Sequence, residues 1–559
     1  MYGGAAVVEA LRIAGISHVF GLLGSTTMEV YDALYDVQDD ITYIGVRHEA
    51  SGVHMADGFG RVKGTPGVFL AGQAGPGSVN MVTGLAQAKL AYSPVVAITG
   101  LVTSSHFHRD TMQEVDQHNL FSPVVKRTIT VMNPDRLGMA ITEALQSATS
   151  GRRGPVVVNI PRDLFSAQTE AQIRAPDYNA GSPVGTINPS AITRACDVLR
   201  SACSPVILAG AGVKWGHGSD AVCHLSEHCR IPVVASAGHP DVVPGHHRLY
   251  AGQVGPRGNE VASSATRNAD VILALGTRLS FNTTFFSYND INADAKIIQV
   301  DIDPSALARH FPVEIGMLGD AGSAAEAMAE EMAGFEIPWH EWTDRICKQI
   351  DELWQIREEA GNDTSMPLKP DRLFAELRQA APDDALYTLD AGTLCLQVTD
   401  KLRYNGGAPS MLTTLDYGLV GFSFPCGLGA KCADPGRPVI SLHGDGGFGM
   451  VLGEFSTAVQ SGISTITVVM DNGCWGAEKA YQRSYYQGRY IGCDTLNPRY
   501  DEFARLYGAT GFYCEEPGSV ADALSEALRA DSPVIIHVKV DPDIMTLFRR
   551  DSFTHRLQR

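Results

Sequence analysis

The chain has 559 residues, 44% of them hydrophobic and 19% charged, a length that predicts about three or four domains and a composition that excludes disorder as the main state. Lys and Arg number 44 against 62 Asp and Glu, a net charge of −18. An acidic balance without a long basic run excludes nucleic acid or an anionic membrane surface as the main partner.

The N-terminal stretch MYGGAAVVEALRIAG has no basic lead-in or cleavage signal and reads as an amphipathic helix. No apolar run reaches the roughly 18 residues of a membrane span. Further along, GVFLAG (67–72) and PVVAITG (94–100) read as strands around a helix from Ser78 to Ala91. PVVVNIPRD (155–163) closes a first block, 1–165. The polar segment 166–189, rich in Pro and Gly, reads as a linker. A second block, 190–333, opens with a helix and carries PVILAGAG (205–212), IPVVAS (231–236), DVILALGTR (270–278) and KIIQVDID (296–303). The charged connection from Phe335 to Pro370 reads as partly helical. A third block, 370–550, holds ALYTLDAG (385–392), PVISLHGDGG (438–447), TITVVMDNG (465–473) and PVIIHVKVD (533–541). Apolar runs alternating with helix-period segments predict an α/β chain of three doubly wound parallel-sheet domains. The 11 cysteines all lie from Cys196 onward without a CxxC pair. That is the usage of a reduced, cytoplasmic enzyme.

Glycine, at 57 residues, exceeds the usual share of ~7%. The densest chemistry lies in the third block, where Gly444-Asp445-Gly446-Gly447 follows the run VISLH and Asp471-Asn472-Gly473-Cys474-Trp475 ends the next strand. Open parallel sheets hold ligands at such strand tips, and glycines let the backbone approach a phosphate. The expected helix begins near Val451. A carboxylate, an amide oxygen and a backbone carbonyl form a hard-oxygen set suited to Mg²⁺ on a diphosphate.

GDG followed roughly 25 residues later by Asp471-Asn472 resembles the signature of thiamine diphosphate-dependent enzymes. The resemblance implies that Asp445, the Asn472 side chain and the Cys474 carbonyl hold Mg²⁺. Asp471 stands where the family has the first of two asparagines. VRHEASGVHMADGFGRVKG (46–64) resembles the family segment whose glutamate contacts N1′ of the aminopyrimidine, which implies a catalytic role for Glu49. AGQAGPGSVN (71–80) and Gly24-Ser25 are similar to family loops that reach the cofactor, and Gln113 matches a glutamine that faces it. Gly392-Thr393-Leu394 matches the diphosphate-contacting turn. Gly418 and Val420 fall where a carbonyl accepts the 4′-amino hydrogen and an apolar wedge supports the cofactor. Gly444, Gly446, Gly447 and Trp475 complete the cofactor-binding set.

The domain order (pyrimidine-binding, central, diphosphate-binding) resembles the acetohydroxyacid synthase and pyruvate oxidase group. The segments NGCWGAEKAYQRSYYQGRYIG (472–492), FPCGLGAK (424–431) and LFRRD (547–551) are similar to sulfoacetaldehyde acetyltransferases. That implies transfer of an acetyl group from sulfoacetaldehyde to phosphate with release of sulfite. An acetolactate synthase-like 2-oxo acid decarboxylase or carboligase is the alternative. Either substrate is a small anion, so His106, His108, Arg109, Arg549 and Arg550 are the candidate cations. The resemblance also implies a homodimer at minimum, with a tetramer as the larger form. The segment 297–320 and Gly276-Thr277-Arg278 match positions that bind FAD or ADP in some relatives and persist in relatives that bind neither, so flavin is not the favoured expectation.

Overall fold

In the computed structural model, residues 1–178, 187–255, 257–404 and 409–546 are described. Three six-stranded sheets follow one another along the chain, and every strand pairing in them is parallel. The first contains β1 (His18–Leu22), β2 (Thr42–Gly45), β3 (Gly67–Ala71), β4 (Val95–Leu101), β5 (Arg127–Thr130) and β6 (Val156–Pro161), in the order β2-β1-β3-β4-β6-β5. The second runs β12-β11-β10-β7-β8-β9, from β7 (Pro205–Ala209), β8 (Val233–Ala235), β9 (Tyr250–Gln253), β10 (Val271–Leu275), β11 (Lys296–Asp301) and β12 (Ile315–Leu318). The third runs β14-β13-β15-β16-β18-β17, from β13 (Leu386–Leu389), β14 (Met411–Thr413), β15 (Val439–Gly444), β16 (Ile466–Asp471), β17 (Thr510–Cys514) and β18 (Val534–Lys539). Inner strands such as β6, β7 and β10 are buried at every position, because helices cover both faces of a parallel sheet.

Besides the turn-back at the β6-β5 and β18-β17 edges, each order reverses between two inner strands: β1 and β3, β7 and β10, and β13 and β15. Crevices open there at the carboxyl ends of the strands.

One element differs from expectation. The predicted helix from Ser78 to Ala91 is two helices, Pro76–Asn80 and Val82–Leu90, the first starting on a proline. Most of the charged connection before Pro370 is one 22-residue helix, His340–Gly361. Its buried Trp342, Ile346 and Ile350 recur at i, i+4 and i+8, which gives one apolar stripe. Trp339 and Trp342 donate their indole N–H groups to the carbonyls of Cys229 (2.9 Å) and Pro205 (3.0 Å), so the helix is docked on the second sheet's layer.

The first and third sheets meet where helix Glu49–Lys63 crosses helix Ser423–Ala433. A Cβ on Gly58 would stand 2.0 Å from the Cys426 carbonyl oxygen, and one on Gly429 would stand 1.8 Å from that of Met55. Glycine is required at both points because the two backbones touch. Beside the crossing, Arg61 forms a buried bidentate pair with Asp57 (2.5 and 2.9 Å) and donates to the Thr413 carbonyl at 3.0 Å. The second and third sheets are tied by Lys214, buried against Asp241 at 2.8 Å, while Asp241 accepts from the backbone N–H groups of Ser410 and Met411.

His54 lies in the Glu49 helix, fully buried, its ring edge-on to Phe422 at 5.3 Å. Burial pushes its imidazole from 6.5 down to about 4, against the opposing charges of Asp57 and Asp390. The folded state therefore favours the neutral ring, and the unfolded chain binds the extra proton between pH 6.5 and about 4. Stability falls as pH is lowered through that window, with a slope from this group approaching 1.4 kcal/mol per pH unit, order of magnitude. Denaturant unfolding across pH 4.5–7 should show the loss, and His54→Gln should flatten that part of the profile.

Candidate active site

The first group of candidate residues lies at the β1/β3 reversal. β1 and β3 lead into Gly24 and Gly72, packed so closely that a Cβ on either would strike the other's backbone within 2.5 Å. Ser25 N–H, next in chain, donates to the Gln73 side-chain oxygen at 3.0 Å. The Gln73 amide donates in turn to the Gln113 oxygen at 2.5 Å. Gln113 is held at φ +71°, a region where a non-glycine residue is strained and where strain clusters at functional sites. Glu49 opens helix Glu49–Lys63 and is 6% exposed. Its Oε2 accepts from Asn80 Nδ2 at 2.9 Å. Its Oε1 lies 3.1 Å from where a Cβ on Gly77 would stand, with the Gln73 side chain at 3.3 Å from the same point. Ser25, Gln73 and Gln113 thus form one hydrogen-bonded set and Glu49 and Asn80 a second, the two meeting at Gly77.

The second group lies at the β13/β15 reversal and on the neighbouring tip of β16. The pairing Gly444↔Met470 sets Asp445 beside Asp471 and Asn472. The helix after the GDG turn begins at Asp445 itself (Asp445–Val451) and not near Val451, because Gly444 is extended and the chain turns helical at the next residue. Asp445 is buried, and its Oδ2 accepts from Thr495 (2.8 Å) and Asn497 (2.6 Å). Burial raises its carboxyl above the ordinary range, with the Thr495 hydrogen bond opposing and the Asp471 charge adding.

The Asn472 side-chain oxygen accepts from Cys474 N–H at 3.3 Å, which leaves a second lone pair. Gly476 draws the loop against the next turn, for a Cβ there would lie 3.0 Å from Asn472 Nδ2 and 3.1 Å from Thr393 Oγ1. The Trp475 ring covers Gly446, 2.9 Å from its would-be Cβ. Gly447 admits Asp390 and Val420, at 2.0 and 3.2 Å from the equivalent point. Asp390 accepts from the N–H groups of Gly421 (3.1 Å) and Phe422 (2.8 Å), which fixes the 418–422 turn. Leu394 sends its side chain into the core, leaving its backbone at the turn. At Gly392, Gly418 and Gly444 a Cβ would meet nothing within 4 Å. These three turns present bare backbone, as a diphosphate cradle requires. An anion beside the Asp445 and Asp471 carboxylates also calls for a cation between them.

Asp471 brings its own counter-charges. It accepts from His537 Nε2 at 2.9 Å and from Gly473 N–H at 2.8 Å, and Lys539 Nζ lies 3.1 Å away. Burial alone would raise its carboxyl, but the His537 hydrogen bond and the Lys539 charge hold it down at about 2.

The two groups share no side-chain hydrogen bond among the described residues. His106, His108 and Arg109 are exposed on the loop after β4, and Arg549, Arg550 and LFRRD lie outside the described residues. Sequence reading marked the segment 71–80 without singling out Gln73 or Asn80 in it, and it missed Thr495 and Asn497, polar residues in a loop with no periodic signal.

A third feature lies at the β7/β10 reversal. A cavity of about 590 Å³ is lined there by Gly212, Gly276, Arg278, Asp301, Gly319 and Asp320. These include the positions that the sequence marks for a possible FAD or nucleotide. Arg278 also stacks over the Tyr92 ring at 4.6 Å. No described helix is long and apolar enough to cross a membrane. No three described His, Cys, Asp or Glu side chains converge to hold a metal.

Three parallel sheets, with glycine turns and a buried Asp at one reversal and a buried Glu at another, define a cofactor-binding α/β enzyme. Three family descriptions match the chain in series. They are the thiamine pyrophosphate enzyme N-terminal TPP binding domain at residues 1–120, the central domain at 192–328 and the C-terminal TPP binding domain at 390–538. The chain is 31% identical to a probable acetolactate synthase large subunit of Methanocaldococcus jannaschii, over 97% of this chain and 92% of that one. It is 32% identical to a sulfoacetaldehyde acetyltransferase of Castellaniella defragrans (98% and 95% covered) and 32% identical to acetolactate synthase isozyme 3 large subunit of Escherichia coli (96% and 95%). The chain belongs to the thiamine diphosphate-dependent enzymes of the acetohydroxyacid synthase-like superfamily.

The Asp471 network makes a stability prediction. His537→Ala removes the buried partner of Asp471 Oδ2, which keeps only the half-exposed Lys539, and leaves the buried Tyr500 N–H without its acceptor, so it should cost about 2–3 kcal/mol. Lys539 is 45% exposed, so Lys539→Ala should cost under about 1 kcal/mol. Urea unfolding of the two variants reads the difference.

Proposed function

We propose that the chain is a thiamine diphosphate- and Mg²⁺-dependent transferase that converts sulfoacetaldehyde and phosphate into acetyl phosphate and sulfite. The observation that carries the cofactor half is the matched pair of strand-tip groups, Glu49 with Asn80 and Gln113 at one reversal and Asp445 with Asn472 at another. The substrate half rests on the block Asn472–Gly492 and on the 32% identity to a sulfoacetaldehyde acetyltransferase. A second reading, an acetolactate synthase-like reaction on a 2-oxo acid, is supported by the equal identity to an acetolactate synthase.

The residues present fit the cofactor. Asp445, the Asn472 side chain and the Cys474 carbonyl would hold Mg²⁺, a hard-oxygen set. The bare turns at Gly392-Thr393-Leu394 and Gly444, Gly446 and Gly447 would receive the diphosphate. Gly24, Ser25, Gly418, Val420 and Trp475 would shape the rest of the pocket. When bound, thiamine diphosphate supplies an electron sink for cleavage of the bond beside a carbonyl carbon. Glu49 is the group that exchanges a proton with N1′ of the aminopyrimidine. Its burial and the Asn80 hydrogen bond fix the carboxylate's direction. Gln113 would orient the substrate, and the exposed His106, His108 and Arg109 precede it on the same loop. We further propose a homodimer at minimum, a tetramer as the larger form and a cytoplasmic location. The cavity at the β7/β10 reversal is not assigned a flavin, and absorbance of the purified protein at flavin wavelengths checks that.

Incubation with sulfoacetaldehyde and phosphate should release sulfite in step with acetyl phosphate. CO₂ from pyruvate with no sulfite would move the chain to the second reading. Glu49→Gln should retain Mg²⁺ and cofactor binding and lower kcat by about 10²–10⁴-fold.

A further inference from the structure

Glu49 is the first residue of its helix, so the aim of its carboxylate depends on the three residues before it. β2 ends at Gly45, and the last sheet-type rung is Val46 N–H to the Gly21 carbonyl at 2.9 Å. The next two backbone donors, Arg47 N–H and His48 N–H, turn away from the first sheet altogether. They are received by one side chain of the third block, Glu454. Its Oε1 accepts from Arg47 (3.1 Å) and His48 (2.9 Å), and its Oε2 accepts from Arg47 (3.1 Å) and from Thr457 Oγ1 (2.8 Å). Glu454 is 2% exposed, and it ends the short 3₁₀ turn that continues directly from helix Asp445–Val451. A buried carboxylate with four hydrogen-bond contacts from three fixed donors, Arg47 N–H being shared between both oxygens, has one orientation, and so has the peptide segment it holds.

We infer that Glu454 is a positioning residue for Glu49: its carboxylate fixes the Arg47–His48 peptides, and so sets the direction in which Glu49 leaves the sheet. The inference rests on the catalytic role proposed for Glu49. It extends that role to a residue that touches neither substrate nor cofactor in the proposed reaction. Arg47 also donates through its side chain to Ser456 (2.7 Å) and Gln460 (2.9 Å). Those contacts strengthen the same seam without touching the peptides that precede Glu49.

The test compares three variants of the full chain. In Glu454→Gln one carboxylate oxygen becomes a donor, so Arg47 N–H loses its second acceptor, and the bonds that remain at the amide oxygen lose the strengthening of the negative charge. In the protein without cofactor, hydrogen exchange of a peptide spanning residues 46–50 should rise by about 10-fold while the thermal midpoint stays close to wild type. In the loaded enzyme kcat should fall about 10- to 100-fold, the scale of a small misplacement of a reacting group, with KM within about twofold. The assay is sulfite release, or pyruvate decarboxylation if that is the reaction turned over. Gln460→Ala removes a seam contact only and should change neither readout by more than about twofold. If Glu454→Gln does not fold, Thr457→Val removes one of the four hydrogen-bond contacts and should show the same exchange change and kcat loss at reduced size. Wild-type kcat or unchanged exchange in the folded Glu454 variant, or equal losses in Gln460→Ala, would overturn the inference while Glu49→Gln remains inactive. A fully active Glu49→Gln would instead remove the catalytic reading, and the inference with it.

Discussion

Everything that faces the candidate site depends on one contact: the crossing of helices Glu49–Lys63 and Ser423–Ala433, where two glycines bring two backbones together. Gly58 seats the Cys426 carbonyl and Gly429 seats that of Met55. A contact of this kind has little freedom to slide, because each backbone fills the notch left by the other's missing side chain. It sets the first sheet against the third. The Asp57–Arg61 pair then anchors its guanidinium on the third sheet's Thr413, and Glu454 reaches back to the peptides before Glu49. The Asp57, Arg61 and Glu454 side chains that make the contacts across this seam are buried, and they are satisfied only in that arrangement.

The three sheets repeat one solution with different contents. Each has a winding reversal between two inner strands, and each is flanked by glycine: Gly24 and Gly72 packed against each other, Gly210 and Gly276, and the open turns at Gly392 and Gly444. The first reversal is furnished with neutral amides and one buried carboxylate. The last carries carboxylates and bare turns, and the middle one opens into the Arg278 cavity. Asp471 shows how the chain accommodates a departure from the family pattern. A carboxylate stands where the resemblance expects an amide, and the adjacent strand β18 answers it with His537 and Lys539. The compensation comes mostly from across the sheet, with the Gly473 N–H of the following loop adding one hydrogen bond.

The fold was largely legible because inner strands of parallel sheets are continuous apolar runs. VVAITGL, VVVNIP, VILAL and ITVVMD announce themselves by composition. Edge strands do not. β5 (RTIT), β9 (YAGQ) and β12 (IGML) are short, and two of them are only partly buried, so they carry a weak signal. The His340–Gly361 helix looked like a linker because only one stripe of it is apolar among many charges. In the site, the motif residues could be read from the chain, whereas their supports could not. Asn80 lies 31 positions from Glu49 and Asn497 lies 52 from Asp445. Such partners are set by tertiary placement, which no local pattern encodes.

The hydrogen bonds from Arg47 to Glu454 join residues 407 apart in the chain, and that from Arg61 to Thr413 spans 352. During synthesis the first sheet can close long before either partner has been made, since domains fold as units from the N-terminus. For that interval the peptides before Glu49 stay solvated and the Asp57–Arg61 pair lacks its third-block ceiling. The nascent first block is therefore complete in its sheet but unfinished in its active edge, and only the last quarter of translation finishes it.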